Sequence, residues 1–333
     1  MRAIVITRHG SPDVLDVQER PDPVCGPGQV RVEVKASGLN FAEVMARQGL
    51  YPDAPKPPCV VGYEFAGVIA EVGEGVTDRA VGDRVFGGSE FGAHAEQVVT
   101  RDQETVPLPD HMSFEEGAAI PVNYSTAWAA LLGYGSLQAG EKVLLQAAAG
   151  GVGIAATQIA KHTGAEVWGT ASASKHDAIR GFGVDHPLDY RQSGWERGLP
   201  EFDLIMDAIG GESLRRSYGM LRAGGRLVAF GASSVITGEK KNLLKAAPQA
   251  LRMLRGFDLM KQMSESKAVI GLNMLTLWKD RGTLEPWVTP LRALIDEGVI
   301  KPHVHAAVPF DRAADAHRMI ERRENVGKVV LVP

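Results

Sequence analysis

Up to about Asn123 the apolar positions recur at every second residue in short runs. Gln29–Val34 (QVRVEV) alternates polar and apolar residues, and Gly67–Val72 (GVIAEV) and Asp83–Phe86 follow the same period. A period of two reads as strands with one buried face. The opening residues Met1–His9 alternate in the same way. Turn clusters separate the runs: Asp22-Pro23, Gly26-Pro27-Gly28, Pro57-Pro58, Gly73-Glu74-Gly75 and Gly87-Gly88. Short strands broken by frequent turns predict an antiparallel, barrel-like β domain.

From about Tyr124 the rhythm lengthens. Lys142–Gln146 is a run suited to a buried strand, followed by a glycine cluster and a helical stretch over Ile154–His162. Strands are predicted at Glu166–Thr170, Asp203–Asp207, Arg226–Phe230 and Ala268–Leu272. Helices are predicted near Lys175–Phe182 and Ser213–Leu221. Alternation of this kind implies a parallel, doubly wound sheet. Trp287–Glu297 then reads as a helix and Lys328–Val332 as a closing strand.

Asn242–Met263 departs from both rhythms. Leu and Met recur there with Lys245, Arg252, Arg255 and Lys261 between them. One or two amphipathic helices packed on the sheet or on a partner subunit fit this pattern. A mobile apolar lid, or a face that touches membrane lipid, fits it as well.

The bulk numbers narrow the function classes. A length of 333 residues exceeds one comfortable core, so two domains are expected. Lys and Arg total 36 against 40 Asp and Glu, which leaves no basic field to hold a nucleic acid. Cys25 and Cys59 are too few for a disulfide framework or a four-thiolate zinc site. With no signal-like segment and no bilayer-length apolar run, a cytoplasmic setting is expected.

The strongest chemical signal is Ala147–Gly153 (AAAGGVG), placed between a predicted strand and a predicted helix. That context makes it a dinucleotide-binding loop. Gly150 and Gly151 are expected to let the backbone turn tightly and approach a pyrophosphate. The helix starting near Val152 offers free N–H groups to those phosphates, and Gly153 permits close packing of helix on strand. At the end of the next strand, where an NAD enzyme places an acid for the ribose 2′-hydroxyl, the chain reads Gly169-Thr170-Ala171-Ser172-Ala173-Ser174-Lys175. Ser172 and Lys175 would accept a 2′-phosphate, so NADPH fits better than NADH; Lys175 exposed on a first helical turn is the plainer alternative. No Gly-x-Ser-x-Gly elbow points to a hydrolase, and the nine histidines show no His-x-x-x-His spacing.

Nearly end to end, the chain resembles the medium-chain dehydrogenase/reductase superfamily. It is most similar to the zinc-free quinone oxidoreductase branch and, within it, to the vesicle amine transport protein 1-like group. Asn40–Tyr51, Gly62–Gly67, Gly82–Val85, Ala147–Gly153, Gly169–His176 and Asn325–Val329 carry the resemblance. It implies an α/β fold: a Rossmann doubly wound parallel sheet plus a GroES-like β-barrel catalytic domain. The catalytic domain would comprise residues 1–123 completed by 276–333, with the NADP(H)-binding domain at 124–275 between them. It also implies roles. Lys175 and Tyr190 match contacts to the 2′-phosphate, and Asn325 matches a cofactor-binding asparagine. Asn40 and Thr126 fall near the nicotinamide, and Gly231-Ala232-Ser233 matches the loop lining its ribose. Lys328 falls where some relatives place a pyrophosphate-binding base. A homodimer is expected, and membrane contact is not.

The zinc alcohol dehydrogenases of this superfamily read Gly-His-Glu where this chain has Gly62-Tyr63-Glu64, and their cysteine ligand just before position 40 is absent from Ser37-Gly38-Leu39-Asn40. A catalytic zinc needs three protein ligands and an open position, so none is expected. Without that Lewis acid, alcohol oxidation is disfavoured. Reduction of a small apolar quinone or α,β-unsaturated carbonyl compound is favoured, because conjugation already spreads the charge left by the hydride. Positioning and hydrogen bonds to the enolate oxygen then suffice. Asn40, Tyr51 and Tyr63 are the candidate donors. Tyr51 resembles a proton-donating tyrosine of enoyl thioester reductases; its alternative role is to shape the pocket wall. Relatives carry a further tyrosine where this chain has Met45, so a less polar pocket is implied. Glu64, Asp83 and Arg84 read as structural. The rival to the reductase reading is a cofactor-binding protein that acts mainly through membrane, lipid or partner contact.

Overall fold

Six strands of the second half pair in the order His186–Asp189, Glu166–Ala171, Lys142–Leu145, Phe202–Asp207, Leu221–Ala229, Ala268–Gly271, every pair parallel. Numbered along the chain this is 3-2-1-4-5-6, the order that puts a topological switch point between Lys142–Leu145 and Phe202–Asp207. The computed structural model describes residues 1–236, 238–239, 243–254 and 256–333, without the side chains of 243–246 and 254. Phe202–Asp207 (FDLIMD) is buried at every position, as a central parallel strand covered on both faces must be. Helices Gly151–His162, His176–Gly181 and Glu212–Gly219 supply crossover connections. His186–Asp189 escapes a reading by periodicity. It is a four-residue edge strand containing Pro187, which an edge tolerates.

The other half is built from Gln29–Leu39, whose alternating burial follows the sequence period. It pairs antiparallel with Glu64–Val72, Gln97–Arg101 and the final strand Lys328–Val332. Val304–Pro309 then adds parallel to that final strand. The chain's last strands therefore complete the sheet begun by its first third. A second small sheet orders Leu15–Glu19, Arg2–Ile6 and Cys59–Val60.

Helix Pro121–Trp128 lies between the two halves. It packs against Gly151–His162 and against the C-terminal helices Met274–Arg281 and Glu285–Asp296. One apolar core runs through it, from Tyr63 and Phe86 through Tyr124 to Leu145 and Leu291. The boundary expected at residue 123 falls inside Pro121–Trp128, and that at 275 inside Met274–Arg281.

Within the Leu- and Met-rich stretch, Leu243–Leu254 and Leu259–Glu265 are helices. Leu251, Leu259, Met260 and Met263 are exposed, whereas Met253 packs beside Tyr218 and Phe257. Asn242, Arg255 and the Lys245 side chain lie outside the described residues. Among the described residues, no helix is long and apolar enough to cross a membrane.

Candidate functional site

The glycine loop leaves the carboxyl end of Lys142–Leu145 at the switch point and caps the helix Gly151–His162. Its tight turn is made differently from the expectation: the left-handed residue is Ala147, at φ +62°, whereas Gly150 has φ −79°. The glycines serve close approach instead. A Cβ on Gly151 would lie 2.5 Å from the Asn123 amide, and one on Gly153 would lie 2.6 Å from the carbonyl oxygens of Ala147 and Ala148. A Cβ on Gly150 would meet nothing nearer than 3.4 Å, so that face of the loop is open. Val152 lies in the first helical turn, whose N–H groups have no partners within their own helix. The open face and these free donors fit a dinucleotide pyrophosphate.

The tail is tied onto this loop. Gly327 N donates to Ala149 O at 2.8 Å and the Asn325 amide donates to Gly327 O at 2.7 Å. Across from it, the Lys175 ammonium donates to Arg323 O and Asn325 O, at 2.7 and 2.6 Å. Tyr190 acts electrostatically on Lys175, as does Arg191, whose guanidinium lies 5.9 Å from the Tyr190 ring centre. Ser172 is buried, its hydroxyl 3.3 Å from that of Ser174. Lys175, Tyr190 and Asn325, read from three separate segments, are thus one cluster. Arg191, which periodicity and motif did not single out, joins them.

Thr126 is buried on Pro121–Trp128, one turn beyond Val122. Gly231 packs so closely that a Cβ would stand 2.5 Å from Ala208 O, and Ser233 N donates to Ala208 O at 3.2 Å. Ala232 lies between them, and the Gly238 carbonyl accepts from Gln48 Nε2 at 2.8 Å.

On that first half, Asn40 caps the helix Phe41–Arg47 where Gln29–Leu39 ends. Its backbone N–H donates to Glu43 at 2.8 Å. Its side-chain amide donates to Glu64 at 2.9 Å and approaches Glu43 at 3.4 Å. Both N–H groups of the amide are thus directed at carboxylates, which leaves Asn40 poorly placed as a donor to a substrate. Glu64 also accepts from Val122 N at 2.7 Å, a carboxylate at the N-terminus of Pro121–Trp128. Lys328, expected at the pyrophosphate, is only 3% exposed; its ammonium is engaged by Asn40 Oδ1 at 2.6 Å and by Glu64. Asp83 and Arg84 hold local backbone, at Ala80 N and Met112 O.

Above this floor stand two phenols. The Tyr51 and Tyr63 rings meet edge to face with centroids 6.4 Å apart, and Tyr63 also packs on Phe91 at 5.1 Å. Among the described residues the buried Tyr63 hydroxyl has no close hydrogen-bond partner, and the Tyr51 hydroxyl is near enough to act on it. Burial, then the nearby Glu43 carboxyl, pushes the Tyr63 phenol well above its ordinary range. Burial likewise raises Tyr51. Both remain protonated at neutral pH, hence donors.

A glycine loop at the switch point of a parallel sheet, facing a strand-rich half closed by the chain's own tail, defines the two-part architecture of a nicotinamide-type oxidoreductase. The chain belongs to the medium-chain dehydrogenase/reductase superfamily, among the VAT-1 homologues. Residues 26–110 match the alcohol dehydrogenase GroES-like domain and residues 182–331 the zinc-binding dehydrogenase family. The chain is 39% identical to the human synaptic vesicle membrane protein VAT-1 homolog over 341 aligned residues, spanning 100% of this chain and 86% of that protein. The crystal structure of the human VAT-1 homolog-like protein superposes with a TM-score of 0.85 at 29% identity, covering 100% and 98% of the two chains. Escherichia coli quinone oxidoreductase complexed with NADPH superposes with a TM-score of 0.85 at 31% identity, covering both chains fully.

The zinc that the second family's description names does not fit the residues here. Tyr63 stands where the ligand histidine would be, and a buried ammonium, Lys328, already neutralises Glu64. Among the described residues no three His, Cys, Asp or Glu side chains form a metal-holding group.

Proposed function

We propose that this protein reduces small apolar quinones or α,β-unsaturated carbonyl compounds with NADPH, without zinc. The observation that carries the reading is the buried hydroxyl of Tyr63 beside that of Tyr51. It is a preorganised donor pair for an oxygen that becomes anionic. Bound NADPH would supply a hydride to the acceptor. Gly150, Gly151, Val152 and Gly153 would hold its pyrophosphate. Ser172, Lys175 and Tyr190, with Arg191, would hold its 2′-phosphate. Thr126 and Gly231–Ser233 would border the nicotinamide and its ribose, and Asn325 would shape the cofactor's edge through its bond to Gly327. Residues 1–123 with 276–333 would form the catalytic domain and 124–275 the cofactor domain. Among the described residues the strand Ala268–Gly271 has one unpaired edge, which would suit a homodimer. The test is turnover: NADPH oxidation with a panel of quinones and enones, and none with NADP and simple alcohols.

A second reading rests on the exposed Leu251, Leu259, Met260 and Met263. In it the protein binds NADPH but acts mainly by contact with a membrane, lipid or partner. NADPH binding with no turnover across the panel would favour it.

A further inference from the structure

The last helix of the chain, Ala313–Glu321, ends in a turn that meets Lys175. The helix closes with Arg323 N donating to Ile320 O and Glu324 N donating to Met319 O, both at 3.0 Å. This double closure needs a left-handed residue at its corner, a place that glycine usually fills. Here the corner is Arg323, at φ +56°. Past the corner the chain is fastened again. The Asn325 amide donates to Gly327 O at 2.7 Å, and Gly327 N donates to Ala149 O at 2.8 Å. Gly327 is left-handed too, and a Cβ on it would lie 2.3 Å from His303 O. The turn is thus fixed at one end by its helix and at the other by the glycine loop.

Two carbonyls of this turn hold one ammonium. Lys175 Nζ donates to Arg323 O at 2.7 Å and to Asn325 O at 2.6 Å, from 148 and 150 residues away along the chain. An ammonium carries three N–H groups. The tail takes two, and among the described residues the third has no partner. A lysine side chain ordered before its ligand arrives spares that ligand the entropy of ordering it.

We infer that the turn Arg323–Asn325 sets cofactor choice by holding Lys175 with its third N–H free for the 2′-phosphate of NADPH. This rests on the reading above in which Lys175 meets that phosphate. The two carbonyls act through Lys175, so Arg323 and Asn325 are positioning residues. Selection of NADPH over NADH then has two sources far apart in sequence. The charge comes from the end of the second parallel strand, and its position comes from the tail.

Substitutions at the corner separate the turn from its charge. Arg323→Val disrupts the corner, because a β-branched residue does not settle at positive φ. Arg323→Asn and Arg323→Gly keep it. All three remove the same charge. Fluorescence titration with NADPH and with NADH gives the ratio of affinities for each protein. Arg323→Val should lower that ratio roughly three- to tenfold, the scale of ordering one long side chain, with NADH affinity unchanged. Arg323→Asn and Arg323→Gly should keep the parent's ratio. A turn that only supports the fold would weaken both cofactors alike and leave the ratio as it was. Should the Val variant not fold, a crystal structure of the parent with adenosine 2′,5′-bisphosphate decides. Lys175 Nζ should stay within about 3.2 Å of both carbonyls while it reaches the 2′-phosphate. A folded Val variant with the parent's ratio, an equal loss in all three variants, or an ammonium that leaves the carbonyls for the phosphate overturns the inference. A ratio that survives Lys175→Ala overturns the reading of Lys175 as the phosphate's partner, and the inference with it.

Discussion

The Lys328 ammonium, on the last strand of the chain, lies 2.6 Å from the side-chain oxygen of Asn40, 288 residues earlier. Through Glu64 the same ammonium reaches the first turn of Pro121–Trp128. The first third, the tail and the connecting helix thus meet at one buried cation.

Removing that cation leaves Glu64 buried with its charge uncompensated. Lys328→Met should therefore cost about 3–5 kcal/mol of stability, the range for breaking a buried pair on one side. Denaturant titration measures it. A loss under 1 kcal/mol, with NADPH affinity sharply reduced, would return Lys328 to the pyrophosphate.

Acid should destabilise the fold through histidine. His94 is fully buried, and burial lowers its pKa from 6.5 to about 4; His317 is also lowered well below 6.5, by burial and then by Arg47. Their unfolded forms take up protons near pH 6.5 and the folded forms do not. Stability is therefore fully present above about pH 7 and is lost as pH falls from 6.5 toward 4. A shift of this size on His94 corresponds to about 3 kcal/mol. Among the described residues neither ring nitrogen of His317 has a partner, so His317→Leu should be neutral or stabilising at pH 7 and should flatten the acid limb. Melting temperature against pH for the two proteins checks this; an unchanged limb would assign the acid sensitivity elsewhere.

Cofactor choice should depend on Lys175. The parent should bind NADPH at least about tenfold more tightly than NADH, the scale of one charge-assisted contact, and Lys175→Ala should erase the preference. Lys175 here donates to Arg323 O and Asn325 O, so binding a phosphate requires it to share or leave those carbonyls. Fluorescence titration with both cofactors decides. Equal affinities in the parent, or a preference that survives the substitution, would count against the assignment.

What sequence reached and what it missed divide by range. Five of the six parallel strands and the glycine loop are local patterns of five to seven residues, and the missing zinc ligands are local substitutions such as Tyr63; all of these were legible, and the short edge strand His186–Asp189 was not. The partners of Lys328 were not, because nothing within a helical or strand period of residue 328 announces Asn40 or Glu64. Asn40 was read as a substrate donor for the same reason: its residue type is visible, but the two carboxylates that take its N–H groups are known only once the chain has folded. Glu43 was not singled out in the sequence; folded, it closes the capping box of Phe41–Arg47. Its second property, full burial where Glu64 and Lys328 act on it, depends on residues far away along the chain. Ala147 gave no sign of its left-handed turn, since glycines follow it and are the residue type that usually takes φ above zero.

The chemistry turns on which phenol donates. Tyr51 is half-buried and Tyr63 is deeper. An enolate oxygen entering beside them would find in Tyr63 a buried donor already stripped of water. Tyr51, nearer the outside, would steady Tyr63 or shape the wall. Tyr63→Phe should therefore lower kcat by roughly ten- to a thousandfold, the range for losing one transition-state donor. Tyr51→Phe should lower it less, and the double variant little more than Tyr63→Phe alone, because the two hydroxyls would act as one unit. NADPH affinity should stay within about twofold throughout, since neither phenol would touch the phosphates and twofold is under 0.5 kcal/mol. Steady-state kinetics with one quinone and one enone, beside a cofactor titration, separate the cases. If Tyr51→Phe is the slower single variant, the donor is the outer phenol and Tyr63 supports it. If both Phe variants match the parent, the proton comes from water and the phenols are only the wall of the pocket.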